Sequence, residues 1–112
     1  MALLVKTLLS GSLSGRNIAV DATSTPGTGL HFTAGLSRVR LEACNIDTVA
    51  RKLTIECGGA AAPDDLVEVT IPPKAGWFPV LDGWYSQGLA ISAFAAVGAA
   101  INIRGETDLV DL

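Results

Sequence analysis

The stretch from Leu53 to Ile71 constrains this chain most. Leu53, Ile55 and Cys57 point one way and Thr54 and Glu56 the other; after a short break, Val67, Val69 and Ile71 oppose Glu68 and Thr70. A side-chain period of two commits both runs to strands with one face buried and one wet. Between them, Gly58-Gly59 opens backbone conformations closed to other residues, and Ala62-Pro63-Asp64-Asp65 supplies a turn. Two strands joined this way form an antiparallel hairpin or the corner between two sheets. The block predicts an all-β chain and contains nothing catalytic.

The same alternation recurs along the chain. Residues 3–9 are β-compatible, and Gly11, Gly15 and three serines make a connection to a short strand at 16–20. A polar loop with Pro26-Gly27 follows. In the next strand, Leu30 and Phe32 share one face against His31 and Thr33. Over 37–46, Val39, Leu41 and Ala43 face in while Arg38, Arg40 and Glu42 face out; residues 45–49 then read as a hairpin turn into the next strand. Pro72-Pro73 stops pairing, residues 77–81 carry Pro79 and read as an edge strand, and Asp82-Gly83 reads as a turn. Leu89, Ile91, Ala93 and Ala95 alternate against Ser92, with Phe94 on the outside, and Ile101 and Ile103 alternate with Asn102 and Arg104. The alanines of 86–100 make helix the rival reading there, but Gly88 and Gly98 fit a strand better.

About eight short strands at intervals of about ten residues predict a single antiparallel β-sandwich, jelly-roll or Ig-like. Its core includes Val39, Leu41, Leu53, Ile55, Val67, Val69, Ile91, Ile101 and Ile103, with Trp77 as a further core plug. Residues 1–112 read as one domain, with an N-terminal arm over 1–12 and a C-terminal arm over 106–112. At 112 residues the chain is long enough to bury a core without metal or disulfide staples. A central 45–49 turn would put Cys44 and Cys57 roughly 15–17 Å apart along the strands, at about 3.4 Å per residue. That is too far for a disulfide.

Only 17% of residues are charged and 49% are hydrophobic, against about a quarter charged in ordinary soluble domains. Such a surface predicts burial in an assembly, here a homo-oligomer. A net charge of −3 argues against phosphate-driven nucleic-acid binding. The N-terminal run MALLVKTLL is too short and interrupted for a signal peptide or a membrane span, and residues 89–101 are likewise too short.

Chemistry-bearing constellations do not emerge. The single histidine, His31, has no nucleophile or acid patterned around it, and two cysteines with one histidine lack zinc spacing. Asp64-Asp65 reads as a turn former rather than a calcium site. GSLSG lacks the lysine and strand-to-helix setting of a phosphate loop. We therefore assign no catalytic residue, cofactor or metal. The apolar termini and the aromatic segment remain as interface candidates: Leu3, Leu4, Val5, Trp77, Trp84, Tyr85, Leu109, Val110 and Leu112.

One resemblance can be set beside this reading. LLSGS (8–12), GRNIAV (15–20), ATSTPGT (22–28), LTIECGG (53–59), PDDLVEVTIP (63–72) and LAISAFAAVGAAINIRG (89–105) occur in that order. The series resembles small β-rich virion structural proteins of tailed bacteriophages; Cys57 stands where that pattern carries an aromatic. The resemblance implies a non-enzymatic decoration (cement) protein on the capsid surface, contacting the major capsid protein or another virion protein. It favours a trimer, matching local threefold positions of a shell; the charge and the short apolar runs above exclude nucleic acid and membrane as expected partners. The competing expectation is a neck, collar or tail-fibre module contacting a partner protein or a surface glycan through Trp84, Tyr85 and loop acids.

Overall fold

The computed structural model describes residues 3–12 and 14–111. They form nine strands: β1 (Leu3–Leu8), β2 (Ile18–Ala19), β3 (Thr28–Phe32), β4 (Ser37–Asn45), β5 (Arg51–Cys57), β6 (Leu66–Ile71), β7 (Phe78–Tyr85), β8 (Ala90–Ala95) and β9 (Ile101–Asp111). One sheet runs β1-β9-β4-β7, with β2 also on β9; the other runs β3-β8-β5-β6, and every pairing is antiparallel. The chain is a β-sandwich, as the alternation predicts.

The core forms where the two inner faces meet. Val39, Leu41 and Ala43 of β4 and Ile101 and Ile103 of β9 pack toward Leu53 and Ile55 of β5 and Ile91, Ala93 and Ala95 of β8. Val67 and Val69 are only half-buried, because β6 is the sheet's edge and has a partner on one side alone. Residues 53–71 do form the expected hairpin, with Leu53 opposite Val69 and Ile55 opposite Val67.

Several local expectations fail for identifiable reasons. Residues 45–49 do not join a hairpin: β4 and β5 belong to different sheets, and the segment is the corner between them. Buried Asn45 holds that corner. Its amide donates to the carbonyls of Val49 (2.9 Å) and Ile71 (3.0 Å), its Oδ1 accepts from the Asp47 N–H at 2.9 Å, and its carbonyl accepts from the Lys74 N–H at 2.8 Å. Cys44 and Cys57 are free thiols, but sheet membership separates them, not hairpin register. A bulge between Gly29 and His31 reverses the expected facing, burying Thr33 and leaving Phe32 58% exposed. Asp82-Gly83 is no turn but the middle of β7: the Arg38 guanidinium grips both Asp82 oxygens at 2.8 Å from the neighbouring strand. Trp77 does not plug the core; it sits half-buried beneath Arg104, whose guanidinium carbon lies 4.2 Å from the ring centre.

The loop between β2 and β3 is tied to its neighbours by a carboxylate. Glu56 is only 4% exposed. It accepts from the Thr25 hydroxyl (2.6 Å), the Gly27 N–H (2.7 Å) and the Ser92 hydroxyl (3.0 Å). Burial pushes this carboxyl up, but the three hydrogen bonds outweigh it and hold the group below its ordinary value.

Candidate interaction surface

Register builds the outer face of the larger sheet row by row. Lys6, Asp108, Arg38 and Trp84 stand in one row across β1, β9, β4 and β7; Leu8, Glu106, Arg40 and Asp82 stand in the next; Arg104, Glu42 and Pro79 follow. At about 4.8 Å between strands, a four-strand row spans roughly 14 Å. The charges interlock across strands. Lys6 meets Glu106 at 2.9 Å, Arg40 meets Asp108 at 2.8 Å and Glu106 at 3.0 Å, Arg38 meets Asp82 at 2.8 Å, and Arg104 meets Glu42 at 2.9 Å. Bonds from the paired cations, then their charge, hold the carboxyls of Asp82, Glu106 and Asp108 below their ordinary values. This lattice was written in the sequence as charge at every outward position of 38–42 and 104–108, with Gly105 and Thr107 at the alternate positions of the second run. It escaped the site prediction because partners 44 to 100 residues apart are invisible until register is known.

The four sheet edges are unequal. β7 is interrupted by Pro79 and a bulge opposite Leu41 and Glu42, and β3 by its own bulge. β6 exposes Glu68 and Thr70. These are the devices that keep sheet edges from pairing with other chains. β1 has neither proline nor bulge, and its only charged residue is Lys6. Its register with β9 runs unbroken from Leu3 opposite Asp111 to Leu8 opposite Glu106, and its one charge is held by Glu106 and Asp108. Four of its six side chains are large, apolar and open to water: Leu3 56% exposed, Leu4 62%, Val5 41% and Leu8 49%.

The predicted interface residues therefore divide. Leu3, Leu4 and Val5 come together with Leu109 and Val110, because the two terminal segments pair with each other: Val5 lies opposite Leu109 and Leu4 opposite Val110. Leu8 belongs to the same ribbon, and sequence reasoning missed it. Trp84 is exposed at the far edge of the same sheet, opposite Arg38. Tyr85 turns inward and packs on the core; burial, then the nearby Cys57 thiol, pushes its hydroxyl up to about 12. Trp77 lies under Arg104, apart from the β1 ribbon, and Leu112 falls outside the described residues.

The remaining candidates are structural. His31 Nδ1 accepts from the Ser10 N–H at 2.9 Å, fixing the β1–β2 connection to β3, and partial burial lowers its pKa. Asp65 Oδ2 accepts from the Ala61 N–H at 3.2 Å, closing the turn between β5 and β6. Among the described residues, no group of three histidines, cysteines or acids is placed to hold a metal ion.

No protein family and no curated protein matches the chain. Among solved structures, it is similar to part of an exo-β-1,3-galactanase from Phanerochaete chrysosporium, solved with galactose. That likeness has a TM-score of 0.50 and 18% identity, and covers 96% of this chain and 27% of the other. A Podospora anserina GH26-CBM35 β-(1,4)-mannanase gives a TM-score of 0.47 and 11% identity, covering 97% of this chain and 28% of that one. The chain thus spans little more than a quarter of either enzyme, and at this identity the galactanase likeness is one of fold.

Proposed function

We propose that this chain is a non-enzymatic structural protein of tailed-phage virions, a decoration protein that attaches to the capsid as a homo-oligomer, favoured as a trimer. The virion assignment rests on the ordered sequence motifs. The observation that carries the docking reading is β1: an edge strand with an unbroken register and no proline or bulge, its single lysine paired with acids of β9, flanked by exposed leucines on both of its faces. Such an edge adds strands from another chain, gaining main-chain hydrogen bonds along its length and specificity from alternate side chains. Its occupants are a neighbouring copy and the major capsid protein, or another virion protein, beneath it. The interlocked charge lattice leaves the adjoining face neutral, so docking there separates no net charge. Quantitative mass spectrometry of purified particles tests the assignment. Hundreds of copies per virion support a capsid surface protein, a dozen or fewer place the chain at the neck or tail, and absence from the particle overturns the reading.

A further inference from the structure

The outer face of the β1-β9-β4-β7 sheet holds an open groove of roughly 520 Å³, bordered by Arg40, Glu42, Pro79, Asp82, Arg104 and Glu106. Sites for small ligands commonly enclose about 300–1,000 Å³. Its floor is β9, β4 and β7 paired side by side. Their main-chain groups are engaged in the ladders, so a peptide finds no free edge here and recognition falls to side chains. The charge is balanced: Arg40 faces Glu106 and Asp108, Arg38 faces Asp82, and Arg104 faces Glu42. The groove therefore carries no net charge that would draw an anionic or cationic ligand in preference to a neutral one.

Hydrogen-bonding capacity nevertheless remains. Arg104 donates through Nε to Glu42 Oε1 at 2.9 Å. Its two terminal nitrogens and Glu42 Oε2 have no hydrogen-bond partner among the described residues. Free donors thus stand beside a free acceptor, and the Trp77 ring, 4.2 Å away, backs the guanidinium. A hydroxyl both donates and accepts, so a neutral molecule carrying adjacent hydroxyls satisfies both groups at once, while Pro79 offers an apolar border to its carbons. We propose that this groove binds a neutral saccharide, with neighbouring ring hydroxyls bridging Arg104 and Glu42. The site uses none of the β1 side chains and stands whether or not the chain belongs to a virion.

Titration of the isotope-labelled full chain, followed by amide proton–nitrogen correlation spectra, tests this. The probes are neutral manno-, galacto- and gluco-oligosaccharides, with heparin and polylysine as charged controls. At least one neutral probe should shift the amides of Glu42, Arg104 and Gly105. Glu42→Gln and Arg104→Gln, both on exposed side chains, should each loosen that binding about tenfold, the loss of roughly one charge-assisted hydrogen bond, with the dispersed spectrum of the folded chain retained. Trp84→Ala should bind as the parent does. The proposal is overturned if no neutral probe shifts these amides up to about 10 mM, a concentration beyond millimolar affinity. It is equally overturned if only the charged polymers bind, if the shifts map to β1 or Trp84, or if both groove variants bind like the parent.

Discussion

Glu56 ties the loop ahead of β3 to β5 and β8, and replacing it with glutamine tests how firmly. The substitution keeps the shape. Oε1 can still accept from the Gly27 N–H and the Ser92 hydroxyl, now without charge, while the new amide nitrogen faces the Thr25 hydroxyl where an acceptor stood at 2.6 Å. Hydrogen bonds to charged groups contribute about 1.5–3 kcal/mol against about 0.5–1.5 for neutral ones. Partial relaxation of the loop then leaves a loss of about 2 kcal/mol at neutral pH. At this chain length, 1 kcal/mol corresponds to roughly 3–6 °C in melting temperature. The pH dependence is the sharper signature. The folded carboxyl titrates below its ordinary value of 4.5, so its contribution is fully present above that value and is lost as pH falls through the folded pKa. Urea unfolding at pH 7 and again near pH 3 should therefore show the gap between parent and Glu56→Gln closing on acidification. Equal midpoints at pH 7, or a gap that persists undiminished in acid, would refute the assigned role of the charge.

Three further outcomes follow from the geometry. Gly105→Ala drives a Cβ into the Arg40 carbonyl oxygen, where β9 and β4 approach too closely for a side chain; thermal melting should show a loss of about 3 kcal/mol. Asn45→Ala leaves the Val49 and Ile71 carbonyls and the Asp47 N–H without their partner, which should cost about 2–3 kcal/mol by urea unfolding. Leu4→Ser combined with Leu8→Ser should leave melting unchanged, because both side chains are about half or more exposed. If β1 docks as proposed, it should weaken oligomerisation or shell binding by about 2 kcal/mol, roughly thirtyfold by sedimentation.

Alternation alone made the strands legible: the inward sets of β4, β5, β8 and β9 are the observed core. Alternation says which side of a strand is wet but not which strand lies beside it. Hence residues 37–58 read as a hairpin when Asn45 turns the chain from one sheet to the other. The bulge between Gly29 and His31 inserts a residue without any signal in the pattern, so Leu30 and Phe32, read as sharing one face, part company: Leu30 is buried with Thr33 and Phe32 is exposed. Trp77 was placed in the core on size, and Arg104, 27 positions later, supplies the contact that holds it at the surface. The same blindness to partners hid the charge lattice. Its members were visible one by one, but Lys6 and Glu106 meet only after the whole chain lies between them.

The place of β9 also sets an order of events. It is the last of the nine strands to be synthesised, yet β1, β2 and β4 all hydrogen-bond to it. The β3-β8-β5-β6 sheet has every strand available once residue 95 has emerged, whereas β1 and β4 wait without the strand that joins them. During translation, half of the sandwich can assemble while the other half remains open. Contacts spanning about a hundred residues then close in a single late step, the arrangement that makes non-local β topologies slow to fold. Until that step, the apolar β1 strand has no native partner, so its capacity to pair with another chain is greatest before the fold is complete.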